Sequence, residues 1–179
     1  MKIKVWDPVV RSFHWATAFI FFANYWLIED GPVHRWLGYG VAGLIMLRLL
    51  WGVVGSPHAR FTDFFPTPAR VTAYLRAILR HEHPVVIGHN PLGALMIIAL
   101  LLLLSLLTAS GWMMGLDAFW GVDWVEDAHE TLATVIHGLV GIHVAAVVLA
   151  DGLRCEGLLR AMITGYKHFP DAAQVNNNN

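Results

Sequence analysis

The chain has 179 residues, 56% hydrophobic and only 14% charged, with a mean hydropathy of +0.54; an average soluble domain is about 25% charged, so composition excludes an ordinary water-soluble globule. Twelve Lys and Arg against thirteen Asp and Glu give a formal net charge of -1, without the basic excess of a nucleic-acid binder. The single Cys155 excludes a disulfide framework, a four-thiolate metal site and covalent haem attachment through C-x-x-C-H.

A bilayer core of about 30 Å needs about 20 mostly apolar residues per helix. Four stretches qualify in chain order: Ser12 to Ile28, His34 to Val54, Pro91 to Met114 and Thr131 to Ala150. Trp6, Asp7 and Pro8 precede the first, and no small-residue cleavage site follows it, so it reads as a retained span and not a signal peptide. Between the second and third spans, Thr67-Pro68 offers a helix cap followed by proline at the first helical position. Val71, Tyr74, Leu75, Ile78 and Leu79 then recur at helical spacing, with Arg70, Arg76 and Arg80 on the other face. Leu158, Leu159, Met162 and Ile163 repeat that pattern after the fourth span. Both segments read as amphipathic helices lying in the membrane interface on anionic lipid. Val175 to Asn179 is low-complexity and reads as a disordered tail.

Basic residues accumulate on cytoplasmic segments. Lys2, Lys4 and Arg11 precede the first span, Arg48, Arg60, Arg70, Arg76 and Arg80 lie at or between the second and third, and Arg154, Arg160 and Lys167 follow the fourth. The opposite side has Arg35 alone among Glu29, Asp30, Asp117, Asp123, Glu126, Asp127 and Glu130. The expectation is an all-α membrane protein: a four-transmembrane-helix bundle with both termini cytoplasmic, one domain over residues 1–170, and a tail over 171–179.

Polar groups at membrane depth are costly and read as functional. His14 opens the first span and His34 the second, which places them near the cytoplasmic and outer surfaces respectively. His129 and His143 of the fourth span are fourteen residues apart, close to four turns, so they share one face about 21 Å apart. Depth then pairs His34 with His129 and His14 with His143. Two bis-histidine sites suit haem b, which takes an imidazole on each axial face and needs no thiolate, whereas tetrahedral zinc would want two further ligands. Gly38, Gly138 and Gly141 remove bulk near these histidines. Arg48, fourteen residues after His34, and Arg11, three before His14, could each pair with a haem propionate or anchor the chain at the headgroups. His137 lies off the ligand face and reads as structural; His89 reads as a cap on the third span or an alternative ligand. The tryptophans at the span ends, Trp6, Trp15, Trp36, Trp51, Trp112, Trp120 and Trp124, suit an interfacial belt.

Val5-Trp6-Asp7-Pro8, Arg11-Ser12-Phe13-His14-Trp15, His34-Arg35-Trp36-Leu37-Gly38-Tyr39 and Arg48-Leu49-Leu50-Trp51-Gly52 resemble the bacterial cytochrome b561 family. Gly88-His89-Asn90-Pro91-Leu92-Gly93, Ala128-His129-Glu130-Thr131-Leu132-Ala133 and Gly141-Ile142-His143 continue the resemblance over Lys4 to Lys167. It implies a four-helix, di-haem b cytochrome of the bacterial inner membrane that exchanges electrons between a quinone pool, ubiquinone or menaquinone, and a redox partner such as a c-type cytochrome, a hydrogenase or another dehydrogenase. The branch it looks most like is the b-type subunit of nickel-iron hydrogenases. The superoxide oxidase branch is disfavoured, because an acidic outer face repels an anion. That acidic rim suits a basic cytochrome c domain, or is simply a solvated face. Glu130, Asp127, Asp7 and His58 are candidate proton carriers for quinone chemistry. A histidine-lined proton or metal transporter is the competing class, but the spans between the histidine depths are mainly Phe, Ile, Leu, Val and Ala.

Overall fold

The computed structural model describes residues 2–82, 86–154 and 157–168. Helices dominate: α1 (Pro8–Trp26), α2 (Gly31–Val54), the short α3 (Phe61–Phe64), α4 (Pro68–Leu79), α5 (Pro91–Met113), α6 (Asp123–Arg154) and α7 (Leu158–Thr164). Two three-residue strands, β1 (Lys2–Lys4) and β2 (Tyr166–His168), pair antiparallel.

Local chemistry sets the helix ends. The Asp7 carboxylate accepts from the Val10 amide at 3.0 Å ahead of Pro8, and the Asn90 side chain accepts from the Gly93 amide at 2.7 Å ahead of Pro91. Both are caps followed by proline where its missing N–H costs nothing. Thr67 caps α4 in the way its sequence announces, accepting from the Arg70 amide. In α5 the hydroxyls of Ser105, Thr108 and Ser110 donate to carbonyls three or four residues back, which satisfies them within an otherwise apolar helix.

Among the described residues, α2, α5 and residues 123–153 of α6 are long and apolar enough to cross a membrane. The 19 residues of α1 include Arg11, Ser12, His14 and Asn24, and this helix is not one of the three. Large apolar side chains such as Met46, Leu50, Leu102, Val148 and Leu149 are exposed on the long helices, a pattern at home in hydrocarbon and not in water.

Two compact units emerge. One comprises Ser12–Leu50 and Ile97–Ile142. Its core of Phe21, Val41, Ile45, Leu104 and Ile136 draws on α1, α2, α5 and α6. The other comprises Met1–Arg11, Trp51–Met96 and His143–Asn179, and in its described residues Val5, Trp6 and Ala161 form a small core. The amides of Val5 and Trp6 both donate to the Gly165 carbonyl, at 2.8 and 3.1 Å. Gly165 takes a φ of +88° with a would-be Cβ only 2.7 Å from the Trp6 carbonyl oxygen, so only glycine closes this turn. The strands were invisible in the sequence, and residues 171–179 of the expected tail lie outside the described residues.

Candidate functional site

His34 and His129 are brought together within one unit, with ring centroids 6.1 Å apart and planes at 64°. Each imidazole is oriented through Nδ1. His34 Nδ1 lies 2.7 Å from the Ile28 carbonyl, and the Ile28 amide in turn donates to the Ala23 carbonyl at the end of α1. His129 Nδ1 lies 3.1 Å from the Leu107 carbonyl and 3.0 Å from Ser110 Oγ. A carbonyl can only accept, so Nδ1 is the donor on both rings and Nε2 is the nitrogen left for a metal; this orienting contact is the one that metal-binding histidines use.

The spacing suits one metal between the rings. A metal–imidazole bond of roughly 2 Å plus roughly 1.1 Å from ring centre to nitrogen on each side puts the centroids roughly 6 Å apart. The rings open into a cavity of about 540 Å³, within the size range of cofactor sites. Gly38 and Gly111 line it. A Cβ on Gly111 would come within 3.0 Å of His129 Cε1, so this glycine on α5 makes room for the ring. Glu29, Asp30, Glu126 and Glu130 line the cavity with Arg35 as their basic neighbour.

The remaining candidates occupy varied surroundings. His14, half-buried on α1, meets Trp15 edge-on at 4.9 Å. His143 is half-buried on α6 in the other unit. Arg48 is only 3% exposed, on the interior row of α2 with Val41 and Ile45. The Arg11 guanidinium donates to the Ile163 carbonyl of α7. His137 stacks on Tyr25 at 4.5 Å with Trp26 at its edge, a packing role. His89 does not cap α5, because Asn90 does; its ring sits between Trp6 at 4.3 Å and Phe64 at 4.5 Å. Gly138 and Gly141 face open space.

Of the candidate proton carriers, Glu130 lines the cavity and Asp127 is exposed. His58 has a left-handed φ of 71°, and its amide donates to Asp63. The Asp7 carboxylate accepts from Trp51 Nε1 at 3.1 Å and from Ser56 Oγ. Burial pushes its pKa up, but the bonds from Ser56, Val10, Trp51 and Val9 outweigh burial and hold it below the usual carboxylate value. A group held so firmly ionised fastens structure better than it carries protons.

Residues 5–165 match the family described as prokaryotic cytochrome b561. The chain belongs to that family. This makes it a membrane cytochrome of the haem b electron-transfer class. A relative described as a probable Ni/Fe-hydrogenase B-type cytochrome subunit, from Bradyrhizobium diazoefficiens, is 24% identical and aligns over 94% of this chain and 87% of its own length. No solved structure matches. Ser110 and Gly111 carry no role in the sequence reading; the available signal was two small or polar residues within an apolar run, where each costs something unless it serves packing or bonding.

Proposed function

We propose that this cytochrome holds two haem b groups, one between His34 and His129 and one between His14 and His143, and passes electrons between a quinone pool and a redox partner protein. The observation that carries the reading is the His34–His129 pair: two imidazoles at bis-axial spacing, each with Nδ1 spent on a backbone carbonyl, facing one cavity. Haem would supply one-electron chemistry when bound, and His34 and His129 would hold its iron while the chain gives orientation and burial. Buried Arg48 supports a propionate anchor for the second group, with the guanidinium balancing the carboxylate charge in a dry setting. Arg11 takes the same role with the part of its guanidinium not bonded to Ile163.

The reading treats residues 1–170 as one domain with four spans in the bacterial inner membrane and both termini cytoplasmic. The β1–β2 pairing supports it independently of charge counting. Strands that hydrogen-bond to each other lie on one side of the membrane, which favours an even number of crossings. With α2, α5 and α6 as three, the reading takes α1 as the fourth.

The partner in this reading is a hydrogenase, another dehydrogenase or a c-type cytochrome, with ubiquinone or menaquinone as the small redox substrate. The acids lining the His34–His129 cavity favour a cationic docking surface over superoxide as electron donor. The deciding experiment is a pyridine haemochrome assay on detergent-solubilised protein, normalised to polypeptide. About two haem b per chain is the expected result. Absence of haem after expression with ample haem supply overturns the ligand assignment and raises the transporter alternative.

A further inference from the structure

We propose that Asn24 is the positioning residue of the His34–His129 site, an inference that rests on the haem-ligand reading above. Asn24 lies in the last turns of α1 and borders the cavity that both histidines face. Its Nδ2 donates to the His34 carbonyl at 3.1 Å. His34 is the fourth residue of α2, and its own ring bonds back to Ile28 in the turn between the helices. The Ile28 and Leu27 amides both return to the Ala23 carbonyl, the residue beside Asn24. The backbone and the ring of His34 are therefore each tied to the same end of α1: the backbone by the Asn24 amide, the ring by a carbonyl that Ala23 holds in place.

The other half of the Asn24 amide sharpens the argument. Oδ1 is buried with no hydrogen-bond partner among the described residues. An unused acceptor inside a protein is a cost that a leucine of similar size would avoid. The bond to His34 is what the amide contributes here. It sets the pitch of the first turn of α2, and with it the plane of the His34 imidazole against that of His129.

The test compares wild type, Asn24→Leu, Asn24→Asp and His34→Ala as full-length protein in detergent at pH 8. Asn24→Asp matches asparagine in size but, ionised, has no proton to donate to the carbonyl. Two readouts are followed: transfer of haem to apomyoglobin, and the low-spin ferric electron paramagnetic resonance spectrum, whose anisotropy reports the angle between the two imidazole planes. Both Asn24 variants are expected to release one of the two haems about tenfold faster than wild type, the lower end of what losing an outer-shell partner costs a metal site. They are also expected to shift one of the two resonance signals, leaving the other as an internal control of folding. Wild-type release and spectra in both variants overturn the proposal. If Asn24→Leu does not accumulate, Asn24→Asp decides alone. A His34→Ala protein that keeps its full haem complement overturns the ligand reading itself, a result distinguishable from failure of the Asn24 step.

Discussion

Gly111→Ala separates ligand geometry from stability. The new methyl would stand 3.0 Å from His129 Cε1, against an ordinary carbon–carbon contact of about 3.5–4.0 Å. The ring must therefore retreat from α5 by a few tenths of an ångström. Its two Nδ1 partners, Leu107 and Ser110, lie on α5, so contacts now at 3.1 and 3.0 Å lengthen as the ring moves away. That stretches them towards the limit of hydrogen-bond range at about 3.5 Å, and a ligating nitrogen tolerates a displacement of only about 0.2 Å. Loss of the orienting contacts corresponds to about 10–100-fold in affinity, or about 1.4–2.7 kcal/mol. In α5 itself, alanine is a better helix former than glycine by about 1 kcal/mol, so the fold should hold. The assay is the rate of haem transfer to apomyoglobin alongside thermal unfolding by circular dichroism. A variant that releases neither haem faster than wild type would refute the placement of His129 as a ligand against α5.

Three further outcomes are expected. In the histidine series, His34→Ala and His129→Ala should each lose the same haem, His14→Ala and His143→Ala the other, and His137→Ala should keep both; equal partial loss of both haems in any single variant contradicts the pairing, and haemochrome stoichiometry with redox titration reads it. Asp7→Ala should cost about 2 kcal/mol at pH 7, since it removes bonds to a charged acceptor. Because the folded pKa of Asp7 is depressed below the ordinary carboxylate value of 3.8, that stabilisation is present above about pH 4 and fades as the pH falls through the folded value; a melting-temperature gap between wild type and variant that instead widens towards acid would contradict it. Reporter fusions after Lys4 and after Lys167 should both report the cytoplasm, whereas an insertion at Gly121 should report the opposite side; an N-terminal and a C-terminal reporter on different sides would be incompatible with the β1–β2 pairing.

Much of the architecture was legible because bilayer insertion is a one-dimensional constraint. Apolar run length announced α2 and α5 within a few residues, and the fourth stretch falls inside α6. The first was legible as a helix, yet Arg11, Ser12, His14 and Asn24 dilute it enough that α1 is not among the three helices long and apolar enough to span. Thr67-Pro68 announced its cap correctly, since cap and proline act within one turn. At the start of α5 the cap is Asn90 and not His89, for a related reason. Asn90 is the better cap by side-chain chemistry, and His89 is claimed by two aromatic rings far away in sequence.

By itself the sequence determined the class of solvent and the long helices, because hydropathy and helical rise depend only on residue type and spacing. It also pointed to the proximity of His34 and His129, whose rings the fold brings to 6.1 Å. Tertiary structure alone decided what orients them. The carbonyls of Ile28 and Leu107, the hydroxyl of Ser110, the amide of Asn24 and the vacancy at Gly111 become partners only when helices and turns pack. The strand pair that joins the two ends of the chain is likewise a contact between residues more than 160 positions apart. Backbone hydrogen bonds of this kind leave no trace in residue type, because every non-proline residue offers the same donor and acceptor.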